Sequence, residues 1–149
     1  MEADGVGREE EHTEQALGDA VIARRFRLRR PADFDLVRRR GRTVSNRLLV
    51  LSVAPNGLDH NRYGFAVGRR VGKAVRRNRV KRWLREAIRK LHPSLQQGYD
   101  LVFVARGALA DSEVTYHEAA TAAESLLRRI GLLQEPRARE ERTGGEPTS

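Results

Sequence analysis

The stretch RNRVKRWLREAIRK, residues 77–90, decides the fold because its apolar residues recur at helical spacing. At ~100° per residue, the apolar side chains between positions 74 and 91 fall within an arc of about 140°. These side chains are Val80, Trp83, Leu84, Ala87, Ile88 and Leu91. The spacing predicts a helix over residues 74–91 that buries this face. The helix should end before Pro93, because the residue before a proline avoids the α region.

The opposite face of this helix is basic and has almost no acidic partners. Between Arg69 and Lys90 the sequence has eleven basic residues and one acid, Glu86. Like charges four residues apart cost a helix roughly 0.2–0.5 kcal/mol per pair, and a merely solvated face gains nothing from them. We therefore expect this face to bind a polyanion, since arginine matches phosphate geometry. Its members are Asn78, Lys81, Arg82, Arg85 and Arg89.

The charge of the whole chain favours nucleic acid over lipid as that polyanion. The formal net charge is +9, but residues 21–134 alone carry 25 basic and nine acidic side chains, an excess of +16. Such an excess is typical of nucleic-acid binding. No apolar run reaches the ~18–20 residues of a membrane span, and the acidic start does not resemble a secretory signal. We expect a cytoplasmic protein that binds no membrane, and the oligomeric state stays open.

Length and composition predict one domain between two tails. A chain of 149 residues is close to the size of one ordinary domain. Residues 1–22 are acidic and poor in aromatic side chains, and residues 134–149 contain two prolines and two glycines. Neither stretch has enough apolar surface to offset the entropy lost on ordering, so we expect both to be disordered. Residues 23–133 then form the domain.

Turn and helix signals before the central helix predict a short helix and two strands. Pro31 suits a first helical turn and Gly41 a helix end, so they predict a helix over residues 31–40. Residues 48–53 form a strand-like run that closes at a turn signal. The next run, RYGFAVGRRVG at residues 62–72, is predicted to pair with it as an antiparallel hairpin.

The last third of the sequence predicts one more strand and one more helix. Residues 101–105 form a buried-looking strand that follows the central helix and completes a β-α-β unit. Thr115 and Glu118 form a T-x-x-E capping box before a helix that stops at Gly131. The order of elements predicts an α+β fold, a two-layer α/β sandwich with one sheet.

The residues that catalysis or metal binding would require are not grouped in this sequence. The absence of cysteine excludes disulfides and thiolate zinc sites. Four histidines lie far apart and form no H-x-H or H-x-x-x-H pair, so each is predicted to be a surface residue. They are His12, His60, His92 and His117. Asp100 is interpreted as a turn residue, and we predict a binding protein with no catalytic or metal-ligating residue of its own.

Two nucleotide-binding motifs match only in part. YGFA, residues 63–66, is similar to the aromatic strand of an RNA recognition motif but lacks its leading basic residue. Gly68 and Gly72 precede the central helix, whose first turn offers backbone N–H groups to a phosphate. The pattern G-x-x-x-x-G-K-S/T is absent, so a nucleoside triphosphate site is not indicated.

Three stretches together resemble one family, the protein component of bacterial ribonuclease P. They are RNRVKRWLRE at residues 77–86, GRRVGKAVR at residues 68–76 and RFRLRRPADFDLVRRRGRTVSNRLLVL at residues 25–51. The resemblance covers about residues 24–131. It implies a fold like the second domain of ribosomal protein S5, with one mostly antiparallel sheet of about four strands. It also implies a left-handed β-α-β crossover, against the general right-handed preference.

The resemblance further implies a division of labour with RNA. In this family the RNA subunit is the catalyst and uses magnesium to remove the 5′ leader of precursor tRNA by hydrolysis. The protein subunit of that endonuclease binds the RNA subunit and the leader. The residues expected to bind RNA are Arg69, Arg70, Lys73, Arg77, Asn78, Arg79, Lys81, Arg82, Arg85 and Arg89. The alternatives are a general RNA-binding or ribosome-associated protein, a duplex DNA binder and a self-sufficient nuclease.

A cleft for the single-stranded leader is implied at three positions. Phe34 matches a family aromatic and would stack on a base, a contact worth ~1–3 kcal/mol, although a core position for Phe34 is equally open. Arg38 stands where relatives often have a second aromatic, and Ser52 replaces another aromatic.

Trp83, on the apolar arc of the central helix, is expected to be structural. Its truncation to alanine is expected to lower the free energy of unfolding by ~3–5 kcal/mol.

Overall fold

The computed structural model describes residues 24–134, so the predicted tails lie outside it except for Gln134. The described part contains three α-helices and four strands joined in places by short 3-10 turns. In chain order they are α1 Pro31–Arg40, β1 Arg42–Ser45, β2 Leu49–Pro55, β3 Arg62–Ala66, α2 Ala74–Leu91, β4 Tyr99–Ala105 and α3 Tyr116–Arg129. The predicted bounds of the first two helices are confirmed.

The four strands form one sheet in the order β1-β2-β4-β3. β1 with β2 and β2 with β4 are antiparallel, whereas β3 and β4 are parallel. Because α2 lies between β3 and β4 in the chain, the predicted β-α-β unit is confirmed. The α+β class with a four-stranded, mostly antiparallel sheet is confirmed as well. The handedness of the crossover stays a prediction.

The predicted hairpin between β2 and β3 is wrong, because β4 lies between these two strands. Leu101, Val102 and Phe103 of β4 are all fully buried, so this strand has apolar side chains on both faces. A strand of that kind is stable only in the middle of a sheet with both faces covered. The turn at Gly57 therefore ends β2 without pairing it to β3. The hairpin partner of β2 is β1, a short polar strand that the hydrophobic pattern did not reveal.

Helices cover both faces of the sheet. On one face α2 and α3 form the main core with alternate residues of the strands. On the other face α1 buries Val37 and Phe34 against Leu28, Ala54 and Val102. The predicted buried face of α2 is largely confirmed, since Val80, Leu84, Ala87 and Ile88 are buried. The capping box of α3 is confirmed too, with both hydrogen bonds present.

Leu84 is more deeply buried in the core than its neighbour Trp83 on α2. Leu84 is fully buried, whereas Trp83 is partly buried at the edge of the core, where the Arg76 guanidinium lies 5.1 Å from its ring. We expect Leu84→Ala to lower the free energy of unfolding by ~2–5 kcal/mol, and Trp83→Ala to cost less than the ~3–5 kcal/mol of a fully buried aromatic. Urea denaturation of both variants measures this. A loss of free energy of unfolding larger for Trp83→Ala than for Leu84→Ala would contradict the partial burial of Trp83.

A buried polar network joins β3 to the start of β4. Asn61 is fully buried and its side-chain amide donates to the carbonyl of Gln96 over 2.8 Å. Its Oδ1 accepts from the backbone N–H of Tyr99 over 2.9 Å. Next to it, Asp100 is 8% exposed and accepts two hydrogen bonds from Arg62, of 2.9 and 2.8 Å. Asp100 is therefore a buried ion-pair partner and not the turn residue that the sequence indicated.

Candidate nucleic-acid interface

The ten residues predicted to bind RNA divide into an exposed, outward group and a half-buried group. The outward group consists of exposed side chains: Arg69, Arg70, Lys73, Asn78, Arg79 and Arg82. The second group is half-buried and consists of Arg77, Lys81, Arg85 and Arg89. Helix α2 positions seven of the ten residues, and we refer to the ten together as the basic surface.

The outward group and Arg89 differ in their acidic partners. Within residues 24–134, no carboxylate forms an ion pair with the outward group. Arg89, in contrast, pairs with Glu86 through an Nη2–Oε2 contact of 2.6 Å. The expectation of an uncompensated stripe is therefore wrong at Arg89, because its helix spacing of three residues from Glu86 brings the two side chains together.

A cavity of about 220 Å³ opens beside Lys81 and Arg85 of the half-buried group. It lies at the β3 edge of the sheet, between α1 and α2. Its lining combines aromatic rings with four basic side chains: Arg27, Leu28, Arg29, Phe34, Tyr63, Phe65, Lys81 and Arg85. The mixture of flat apolar surface and cations is suited to a single-stranded nucleic acid, whose bases stack and whose phosphates need positive charge. We refer to this cavity as the cleft.

Residues 27–29 form one wall of the cleft because they run along the open edge of β3. The N–H of Leu28 donates to the carbonyl of Tyr63 over 2.7 Å, and Arg27 forms a parallel bridge with Tyr63. Extended backbone alternates its side chains, so Leu28 is buried while Arg27 and Arg29 line the cleft. These two arginines were not among the predicted RNA-binding residues. The alternation of Arg27 and Arg29 with the apolar Leu28 in RFRLRR, residues 25–30, is the sequence pattern that could have indicated a strand with its arginines on one side.

Phe34 reaches the cleft by packing over a glycine of β3. A Cβ atom on Gly64 would lie 2.6 Å from Phe34 Cζ, so only glycine leaves room for the ring. Phe34 also packs against the smaller core cluster under α1. Phe34 is therefore both a core residue and a cleft residue. It packs against the smaller core cluster and also lines the cleft.

Arg38 and Ser52, the other two residues predicted in the leader cleft, lie apart from it. Arg38 is exposed on α1 and is not part of the cleft lining. Ser52 is 3% exposed in β2, and its hydroxyl lies 3.0 Å from that of Thr43. A side chain so buried cannot touch RNA in this conformation. The structure therefore brings only Phe34 of the three to the cleft.

Positive charge is crowded at the cleft. Burial, followed by repulsion from Arg85 and Arg77, lowers the pKa of Lys81. A neighbouring cavity of about 420 Å³ shares residues 27–29 with the cleft and adds Arg30, Asp33 and Arg62. A bound anion would offset the repulsion among these cations, which is the electrostatic basis for binding nucleic acid here.

His92, predicted to be a surface residue, is half-buried where α2 ends. The Tyr63 hydroxyl accepts from Asn61 Nδ2 over 3.1 Å and lies 2.8 Å from His92 Nδ1. The hydroxyl donates to His92 Nδ1 in the tautomer that carries its proton on Nε2, and accepts from Nδ1 in the other tautomer. Burial, then His60 and Arg25, lower the pKa of His92. Burial also raises the pKa of Tyr63 to about 12.

The depressed pKa of His92 predicts a loss of stability in mild acid. The unfolded chain binds the proton near pH ~6.5 and the folded chain only at lower pH, so stability falls as pH drops below ~6.5. Urea denaturation between pH 7.5 and pH 5 (roughly the working range of histidine) measures the slope. We expect His92→Gln to reduce it, whereas the exposed His117→Gln should not. Equal slopes for the parent and His92→Gln would contradict this assignment.

Comparison with known proteins identifies the group to which this surface belongs. The family model described as Ribonuclease P matches residues 22–131. The chain belongs to the ribonuclease P protein family. A ribonuclease P protein component from Caldanaerobacter subterraneus is 44% identical over 109 residues, which are 73% of this chain and 92% of that protein. One from Roseiflexus castenholzii is 42% identical over 113 residues, 76% of this chain and 92% of that protein.

Solved structures of the ribonuclease P protein family have the same fold. The RNase P protein from Thermotoga maritima is 37% identical, with a TM-score of 0.66 over 70% of this chain and 99% of that chain. The RNase P protein of Staphylococcus aureus is 31% identical, with a TM-score of 0.66 over 73% of this chain and 98% of that chain. The chain is therefore a subunit of ribonuclease P, and a role in tRNA processing follows from the family.

Proposed function

We propose that the chain binds two RNA partners with the two parts of its basic surface. The outward group of α2 binds the catalytic RNA subunit, and the cleft binds the single-stranded 5′ leader of precursor tRNA. The observation that carries this proposal is the cleft itself, which combines four cations with the ring of Phe34 beside the outward group. The protein then raises the rate by holding the substrate close to a catalyst that lies on the RNA.

In this proposal the leader lies with its phosphates on the cations and a base on the aromatic wall. Lys81 and Arg85 are one helical turn apart on α2, so their side chains can contact successive groups of one extended strand. Arg27 and Arg29 face them across the cleft. Phe34 is held against Gly64 and offers its ring to a base, a contact of ~1–3 kcal/mol that does not depend on base identity.

The hydrolysis of the phosphodiester bond is assigned to the RNA subunit with its magnesium ions. Within residues 24–134, no group of three or more potential ligand side chains is arranged to hold a metal ion. The protein's part is electrostatic, because its cations lower the repulsion between two RNA molecules. Assembly then requires a lower concentration of magnesium. We propose that it acts in the cytoplasm. In the described part of the chain, no helix is long and apolar enough to span a bilayer.

Reconstitution tests the division of labour directly. Purified protein is mixed with precursor tRNA and magnesium, with and without the RNA subunit, and release of the 5′ leader is measured. We expect no cleavage by protein alone and faster cleavage by RNA when protein is added at low magnesium. Cleavage by the protein alone would make it a self-sufficient nuclease. No stimulation of the RNA would favour a general RNA-binding protein.

The contact between Gly64 and Phe34 offers a specific test of the cleft. We expect Gly64→Ala to displace the Phe34 ring and to lose part of its ~1–3 kcal/mol stacking contribution to leader affinity. Gly68→Ala is the matched control, since a Cβ there meets no atom within 4 Å. Fluorescence anisotropy with a labelled leader measures both. In a Phe34→Ala background Gly64→Ala should change nothing further, and an additional loss there would refute the role of the ring.

A further inference from the structure

A second cavity, of about 640 Å³, has no part in the function proposed above. It lies where the end of α2, the loop before β3 and residues 25–26 meet. Its volume falls within the ~300–1,000 Å³ of cavities that bind small organic groups, whereas the cleft measures about 220 Å³. We refer to it as the aromatic cavity, because its lining includes three rings: Phe26, His60 and His92.

The three rings form one partly exposed cluster. The centroid of the Phe26 ring lies 4.7 Å from that of His92 and 5.5 Å from that of His60. All three side chains are half-buried, and Phe26 also packs against the main core, which holds the cluster in place. The exposed Arg25 adds a planar guanidinium 4.8 Å from the Phe26 centroid. Flat side chains of this kind are suited to stacking on a nucleobase.

The aromatic cavity differs from the cleft in its charge. Its lining has one arginine, Arg25, and one carboxylate, Asp59, so their fixed charges cancel. Asp59 Oδ1 lies 3.0 Å from His60 Nδ1, and that hydrogen bond, followed by the charges of His60 and Arg25, lowers the pKa of Asp59. The cleft, in contrast, is lined by four basic residues and no acidic one. Phosphates therefore favour the cleft, whereas the aromatic cavity fits an uncharged base.

The aromatic cavity and the cleft lie along the same stretch of backbone. Residues 25–26 line the cavity and residues 27–29 line the cleft, and these five residues span at most roughly 18 Å. Tyr63 connects the two sites, because it lines the cleft while its hydroxyl lies 2.8 Å from His92 Nδ1. A single strand held in the cleft therefore reaches the aromatic cavity by continuing past Tyr63.

We propose that the aromatic cavity is a second subsite for single-stranded RNA, which stacks a base of the same strand that the cleft holds by its phosphates. This second subsite presupposes the leader cleft proposed above and extends it to further nucleotides. Proteins that bind single strands cover ~4–16 nucleotides with one small domain, so a strand of that length extends beyond the cleft. Since the cleft keeps the strand close, the second contact strengthens binding only of strands long enough to reach both sites.

Affinity measured against strand length and salt tests the second subsite. Labelled single-stranded RNAs of ~4 and ~10 nucleotides are titrated with the full-length chain at pH ~8, above the usual titration range of histidine. We expect His60→Ala to weaken binding of the long strand about five- to tenfold through loss of stacking. Its salt dependence should not change, because no phosphate contact is removed. The short strand should bind the variant and the parent equally. The exposed His117→Ala is the matched control and should alter neither affinity.

Phe26→Leu is a second variant, which keeps apolar volume against the core but removes the ring. It should weaken binding of the long strand as His60→Ala does, and circular dichroism verifies that both variants are folded. Equal affinity of the parent and both variants for the long strand would overturn the second subsite, as would an equal loss for the short strand. The cleft is tested separately, by Lys81→Ala combined with Arg85→Ala on the short strand, so failure of the cleft is distinguishable from failure of the aromatic cavity.

Discussion

Lys81→Ala combined with Arg85→Ala is expected to weaken leader binding by about 10- to 100-fold, the largest effect on function that the structure predicts. Both side chains lie on the cleft wall, where each contributes a charge-assisted contact to phosphate. Loss of two phosphate contacts on a single strand should also flatten the dependence of log affinity on log salt by about 1.4. Anisotropy titrations with a labelled leader at several salt concentrations measure both quantities.

The control for this experiment removes equal charge away from the cleft. Arg40 and Arg47 are exposed and neither lines the cleft, so their joint replacement by alanine should leave the salt dependence nearly unchanged. Circular dichroism verifies that both double variants are folded. Equal losses in the two variants would show that net charge alone governs affinity. An unchanged affinity after loss of Lys81 and Arg85 would place the leader elsewhere.

Asn61→Ala is expected to cause the largest loss of stability, about 3–5 kcal/mol. The substitution removes three side-chain hydrogen bonds and leaves the N–H of Tyr99 and the carbonyl of Gln96 without these partners beside a buried site. An unsatisfied buried group costs ~1–3 kcal/mol, which is more than the net gain from a formed hydrogen bond. Urea denaturation at neutral pH measures the free energy of unfolding.

Asn78→Ala is the control for Asn61→Ala, because it removes the same type of side chain from an exposed position. Asn78 is exposed on α2, so Asn78→Ala should change the free energy of unfolding by no more than about 0.5 kcal/mol. Because Asn61 also donates to the Tyr63 hydroxyl that lies 2.8 Å from His92 Nδ1, its loss should alter the pH dependence of stability as well. A loss below 1 kcal/mol for Asn61→Ala (roughly the worth of one hydrogen bond) would mean that water replaces the amide.

The elements that the sequence predicted well are those set by local chemistry. Helix α2 follows from the 3.6-residue spacing of its apolar face, and α3 from the capping box at Thr115 and Glu118. The basic face of α2 was also predictable, because charge is read directly from the residues. Glu86 was visible too, and its spacing of three residues from Arg89 should have indicated their ion pair.

The features that the sequence did not predict depend on contacts between distant residues. Nothing local to β2 or β3 indicates that β4, more than thirty residues further on, inserts between them. The cleft depends on that strand order, since it places Gly64 at the sheet edge beneath Phe34. The burial of Ser52 under α1 has the same origin, because it requires knowing which face of β2 the helix covers.

The strip of backbone at residues 27–29 has a consequence for solution behaviour. Strand β3 ends the sheet, and an uncovered last strand invites a second molecule to add its own strand and begin aggregation. Leu28 occupies part of that position through its bond to Tyr63, while Arg27 and Arg29 give an approaching copy the same sign of charge. Concentrated salt screens this repulsion between copies, so the purified protein should be kept at moderate ionic strength to stay monodisperse.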